Sequence, residues 1–259
     1  MKTLYESLLD IDGVESKVEL IIKIDNWCKD NIMGIYVIDK KTLVISSPAS
    51  ITITNKELER FPSYIHFGIV QGSFHCNYCI SLKSLEGAPE KVGMNFGCGG
   101  CTSLKSLEGA PKEVGGSFSC NNCSSLTSLE GAPEKVGKNF SCKYCTSLTS
   151  LEGAPKVVGG DFDCGWCASL ESLKGAPKKI RDNFYCDKCS SLKSLEGAPE
   201  KIDGVFYCND CDSLKSLKGA PKEVGGDFYC TNCPALKSLK GAPTHIKGKI
   251  FSDEDENTI

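Results

Sequence analysis

Phenylalanine recurs at positions 74, 96, 118, 140, 162, 184, 206 and 228, with every step 22 residues long. One copy of the sentence it opens is Phe96-Gly97-Cys98-Gly99-Gly100-Cys101-Thr102-Ser103-Leu104-Lys105-Ser106-Leu107-Glu108-Gly109-Ala110-Pro111, closed by Lys112-Glu113-Val114-Gly115-Gly116-Ser117. Self-similarity at such a period specifies a solenoid, in which each repeat is one coil that buries its apolar face only against its neighbours. Phe-x-Cys alternates as a short strand does. The two Cys, two Leu and one Val positions supply the other inward contacts. Proline cannot donate to a ladder, so Gly-Ala-Pro lies away from the strand. No run in the repeat is long enough for a regular helix, so the convex side is expected to be turns, extended or polyproline-like segments.

This pattern resembles the leucine-rich repeat, L-x-x-L-x-L-x-x-N/C-x-L. Phe-x-Cys stands for L-x-L, and the second Cys stands at the Asn/Cys position. Leu-x-Ser-Leu-x-Gly-Ala-Pro looks like the leucine-and-proline half of the short bacterial repeats, with one extra residue before the first Leu. The wording SLEGAP…VGGxFxC is most similar to leucine-rich-repeat proteins of tailed bacteriophages. The resemblance covers 74–251 strongly as eight repeats, and 35–73 weakly as degenerate first repeats, through Ile51, Ile53, Asn55, Leu58, Phe61, Ile65 and Phe67. It implies a right-handed coil with a parallel β-sheet on its concave face. By analogy it also implies a phage host-takeover or anti-defence role.

After each proline the charge changes sign from rung to rung: Glu90, Lys112, Glu134, Lys156, and at the next position Lys91, Glu113, Lys135. Equivalent residues on adjacent rungs should sit ~5 Å apart, where opposite charges help and like charges repel. The alternation breaks at Lys156/Lys178.

The ends differ from the repeats. Residues 1–34 hold Leu8, Leu9, Val18, Leu20, Ile21, Ile24, Trp27 and Cys28 at helix-like spacings, which predicts one or two helices capping the first coil. At the other end Ile246, Ile250 and Phe251 either form a minimal last rung or meet a second molecule, including a second copy of the chain. Residues 252–259, with Asp253-Glu254-Asp255-Glu256, are expected to be a disordered acidic tail that blunts the edge.

Eight C-x-x-C pairs fall at 76/79, 98/101, 120/123, 142/145, 164/167, 186/189, 208/211 and 230/233. A neighbouring pair such as Cys76, Cys79, Cys98 and Cys101 has zinc-site spacing, and four thiolates suit a tetrahedral ion. The favoured reading gives them to the core, with no cofactor: free Cys packs as a small hydrophobe, and the second Cys can bond the turn backbone. A zinc-loaded scaffold stays open as the alternative. A thioredoxin-type motif needs a βαβ context that is lacking here.

The net charge of −3 and 24% charged residues give no basic field to attract nucleic acid. No apolar run approaches a membrane span, and the N-terminal segment is a poor signal peptide. A cytosolic protein with reduced thiols is expected. The three histidines, His66, His75 and His245, have no motif partners, and no phosphate-binding glycine loop is present. An enzyme is not expected.

Function is then sought where the outward residues vary. Between Phe and the first Cys, Tyr185, Tyr207 and Tyr229 form a ladder. Asp161, Asp163, Asp187, Asp210 and Asp227 flank it, and Trp166 lies at its margin. Aromatic residues are common anchors, and the acids favour a basic partner over phosphates. The expectation is a protein-binding concave face centred on these residues. Against it stands a ladder that merely stabilises the sheet, or a structural, virion-associated role.

Overall fold

A computed structural model describes residues 16–253 as a β-solenoid. Among these residues one helix, α1 (Lys17–Asn31), precedes the strands β1 (Ile32–Gly34), β2 (Val37–Ile38), β3 (Ile45–Ser47) and β4 (Ile51–Ile53). From there every coil contributes one short strand to each of two 11-stranded sheets. The Phe strands, such as Phe118–Ser119, form one sheet, and the segments following proline, such as Glu113–Val114, form the other.

The 22-residue period becomes register. Phe118 pairs with Phe96 and Phe140, and Val136 with Val114 and Val158, all in parallel. The eight Phe side chains are no more than 1% exposed. Their rings stack near-parallel along the axis, with centroids 5.1 Å apart for Phe96–Phe118 and 5.3 Å for Phe118–Phe140. Burial of such a side chain stabilises by about 1.5–3 kcal/mol, and the stacked pairs add to that. The paired Leu columns, exemplified by Leu126 and Leu129, are fully buried beside them.

The second sheet goes beyond the expected turns, extended or polyproline-like segments. The opposite side is non-helical as expected, but Lys91–Val92 and its equivalents pair in a continuous ladder. The residues after proline are free to donate, and identical coil lengths bring them into register. The charge alternation is read out along this sheet. Lys91 reaches Glu113 at 2.9 Å and Lys201 reaches Glu223 at 2.6 Å. Where Lys179 opposes Lys201, Lys179 turns to Asp203 at 3.4 Å. These pairs are exposed, so solvent and salt screen them.

At the first end, Ser16 caps α1 in a reciprocal capping box with Glu19. Ile24 and Cys28 are buried, and Trp27 packs edge-on against Phe61 at 6.2 Å. Val18 and Ile22, one turn apart on the helix, are exposed. Leu8 and Leu9 lie outside the described residues. Beneath the helix, β1 runs antiparallel to β4 and β2 antiparallel to β3, covering the first edge of both sheets. The degenerate coil is one residue longer than the repeats, since Ile51 pairs with Phe74. Ile51, Ile53, Leu58, Phe61, Ile65 and Phe67 are buried, while Asn55 is exposed and donates to Asn31 Oδ1 at 2.9 Å.

At the other end His245–Ile246 and Ile250–Ser252 form a last rung, and both are edge strands. Leu236, Leu239, Ile246 and Ile250 are only partly buried there. Asp253 belongs to the fold rather than to a tail. Its carboxylate accepts from the Asn232 and Cys233 amides at 2.9 and 3.2 Å. Tail residues 254–259 lie outside the described residues.

Candidate interaction face and cysteine columns

Every coil turns at the same two places. In Leu-x-Gly-Ala-Pro the glycine adopts a positive φ. At Gly109 (φ 88°) an added Cβ would sit 2.2 Å from the Glu86 amide nitrogen, so only glycine fits. The second turn is the third residue of C-x-x-C, which is left-handed throughout: Tyr78, Gly100, Asn122, Tyr144, Trp166, Lys188, Asp210 and Asn232 have φ between 54° and 74°. Gly, Asn and Asp are ordinary there, while Tyr, Trp and Lys are not.

This turn aims the second thiol of each pair back at the preceding coil. Cys123 donates to the Cys98 carbonyl at 3.3 Å, Cys145 to Cys120 at 3.2 Å, and Cys167 to Cys142 at 3.3 Å. In the C-terminal half the first thiol donates the other way, as Cys186 does to the Tyr207 carbonyl at 3.2 Å. All 17 cysteines are free and buried. Burial pushes the Cys164, Cys186 and Cys208 thiols well above their ordinary range, which disfavours the thiolate needed for a nucleophile or a metal ligand. Among the described residues no three His, Cys, Asp or Glu side chains converge on a point that could hold one ion, and the zinc-spaced quartet Cys76, Cys79, Cys98 and Cys101 is no exception.

On the outer face of the Phe sheet, Tyr185, Tyr207 and Tyr229 come together as read from the sequence. Their rings are parallel within 8°, with centroids 4.8 and 5.0 Å apart. Phe251 extends the stack at 4.6 Å from Tyr229. Because the rings cover one another's faces, the ladder is half-buried and presents ring edges and hydroxyls. Tyr229 donates to Asp227 Oδ2 at 3.3 Å. Burial, followed by the Asp161 charge, raises the Tyr185 phenol, and Asp227 likewise adds to the rise at Tyr229.

The flanking acids have structural partners that their spacing did not reveal. Asp161 accepts from the Asn183 amide of the next coil at 2.9 Å, and Asp227 from the Lys249 amide at 2.8 Å. Asp187 accepts from the Asn209 amide at 2.9 Å, and Asp163 from the Gly165 amide at 2.9 Å. Asn95, Asn121, Asn139, Asn183 and Asn209 likewise accept from an amide of the next coil. Burial raises the carboxyls of Asp163 and Asp187. Asp163 opposes Tyr185 in register and lies 3.9 Å from Lys143 Nζ.

Trp166 and Asp210 occupy the left-handed turn column rather than the tyrosine column. Trp166 packs on Tyr144 at 5.2 Å, and the Lys188 ammonium lies 4.2 Å from the centroid of its ring. His75 lies in the strand column, and its Nδ1 is buried without a hydrogen-bond partner.

These features define a two-sheet β-solenoid with internal thiol columns and an aromatic, acid-flanked stripe on its C-terminal half. Comparison with protein-family models, with curated proteins and with solved structures finds no match.

Proposed function

We propose that this solenoid is a protein-binding module of the leucine-rich-repeat kind, and that it recognises a basic segment of its partner with the outer face of its Phe sheet. The observation that carries this reading is the four-ring stack Tyr185–Tyr207–Tyr229–Phe251 with Asp161, Asp163, Asp187 and Asp227 beside it. The stack is rigid, so its contact area is ordered before binding at little entropic cost. The acids set the sign of the partner. Asp210 and Trp166 form the margin of the same face.

The reading is of binding rather than catalysis, because the thiols are buried. Seventeen reduced cysteines support an intracellular setting. A phage-encoded factor acting on a host protein fits that setting and the resemblance of the repeat.

The charge component is tested by Asp163→Asn/Asp187→Asn/Asp227→Asn. Amides can keep the backbone bonds, as Asn121 and Asn209 do, while three charges are removed. Association with the captured partner should slow about tenfold at low salt and lose most of its salt dependence. An unchanged association rate contradicts the acidic-face reading.

A further inference from the structure

Some lysines along the solenoid are matched to a carboxylate on a neighbouring coil. Lys83 meets Glu59 at 2.7 Å, Lys193 meets Glu171 at 2.8 Å, Lys218 meets Glu196 at 2.6 Å and Lys222 meets Glu200 at 3.4 Å. The sequence reads Ser-Leu-Lys-Gly at Lys174, Lys218 and Lys240, where the other coils read Ser-Leu-Glu-Gly. Lys215 follows Lys193, and Lys240 follows Lys218, whose carboxylate partners are already taken. Neither Lys215 nor Lys240 has a carboxylate within ion-pair distance among the described residues.

These side chains border a groove of about 500 Å³ lined by Lys215, Ser216, Lys218, Gly219, Ser238, Lys240 and Gly241. With Glu196 bound to Lys218, three ammonium groups face one carboxylate. Ser216 accepts the Lys218 amide at 3.1 Å, which leaves its hydroxyl proton free to donate outward. Gly219 and Gly241, with φ of 87° and 94°, keep the floor free of side chains. Uncompensated like charges on adjacent coils repel, and an anion bridging them removes that repulsion.

We propose that this groove binds an anion carrying adjacent phosphoryl groups. Lys215 and Lys240 supply the charge, with Ser216 and Ser238 as hydroxyl donors. Lys218 and Lys240 occupy equivalent positions on neighbouring coils, ~5 Å apart, and Lys215 lies on the same coil as Lys218, so two linked phosphoryl groups can meet ammonium groups from both coils at once. A single phosphate cannot span them equally well. A free diphosphate and the diphosphate of a nucleotide share this chemistry. The groove is made by the turns at Ser-Leu-Lys-Gly, away from the tyrosine stripe, so the proposal does not depend on the protein-binding reading.

The test is calorimetric titration of the full chain with pyrophosphate, inorganic phosphate, ADP and adenosine at low ionic strength. Saturable one-to-one binding of pyrophosphate, tighter than inorganic phosphate, is expected. Lys215→Ala/Lys240→Ala should weaken it by about tenfold or more, whereas Lys91→Ala, far from the groove, leaves it unchanged. ADP binding like pyrophosphate, with adenosine silent, assigns recognition to the phosphoryl groups. Tighter ADP binding adds a base contact. No saturable pyrophosphate binding overturns the proposal, as does binding that the double variant retains. The variants change exposed side chains, and an unaltered circular dichroism spectrum confirms that a loss reflects the groove.

Discussion

The Cys145 thiol donates to the carbonyl of Cys120, one coil earlier, across 3.2 Å. The same link recurs from Cys101 to Cys76 and from Cys233 to Cys208, at 3.2 and 3.3 Å. It satisfies a buried carbonyl that the turn would otherwise leave unpaired. Cys145→Ala should therefore destabilise by about 1–3 kcal/mol, combining a small cavity with an orphaned acceptor. Cys145→Ser restores a donor and should recover part of the loss. Urea denaturation of the three proteins checks the order.

Phe140 sits mid-stack, 5.3 Å from Phe118 and 5.1 Å from Phe162. Phe140→Ala removes both ring contacts and leaves a cavity, at a cost of about 3–5 kcal/mol. Neighbouring coils depend on each other, so the loss should appear as early exchange of amides in the flanking coils. Hydrogen exchange confined to residue 140 itself would argue against a continuous core.

Asp163 and Asp187 have carboxyls raised by burial. A raised carboxyl favours the protonated form in the folded state. Its stabilising contribution is present at low pH and lost as pH rises through the folded pKa. Asp187→Asn keeps the acceptor for the Asn209 amide, so it should raise the melting temperature at pH 7 and change it little at pH 3. Exposed Glu113 and Glu223, lowered by hydrogen bonds from Lys91 and Lys201, act in the opposite sense. Their contribution is present above the ordinary carboxylate pKa and lost on acidification. Melting curves of Asp187→Asn and wild type across this range separate the two.

Asp253 closes the last turn by accepting from the Asn232 and Cys233 amides. In internal coils that turn amide donates to a carbonyl of the next coil, as Asp210 does to Thr231 at 2.9 Å. At this end of the described solenoid the Asp253 side chain takes the place of that carbonyl. Asp253→Ala should fray the final coil, cost about 0.5–2 kcal/mol, and speed exchange at the amides of Asn232 and Cys233 while leaving Asn122 protected.

The repeat made the fold legible. The 22-residue spacing of phenylalanine fixed the coil, and the core positions of the Leu, Val and Cys columns followed from it. The cap helix was visible through Ile24, Trp27 and Cys28. The second sheet was not, because a two-residue strand such as Lys135–Val136 is too short to show alternation and follows a proline. The antiparallel β1 and β2 lie in sequence that lacks the repeat. The left-handed turn was hidden because Tyr78, Tyr144 and Trp166 are residue types that rarely adopt it.

At the candidate site the tyrosine ladder was legible, since equal spacing brings equal positions into contact. Phe251 was missed as its fourth ring because the last coil departs from the Phe-x-Cys wording. The backbone-bonding roles of Asp161, Asp187 and Asp227 appear only once adjacent coils are placed side by side. They show that these acids serve the fold as well as the surface charge.

The most direct test of the binding reading is partner capture from a bacterial lysate by wild type and by Tyr185→Ser/Tyr207→Ser/Tyr229→Ser, with thermal melting of both proteins in parallel. The account predicts that the variant remains a cooperatively folded solenoid, melts lower because the stack is gone, and no longer retains the protein that wild type retains. A folded variant that retains the same protein as strongly as wild type would contradict it, and would leave the tyrosine stack as a brace for the sheet.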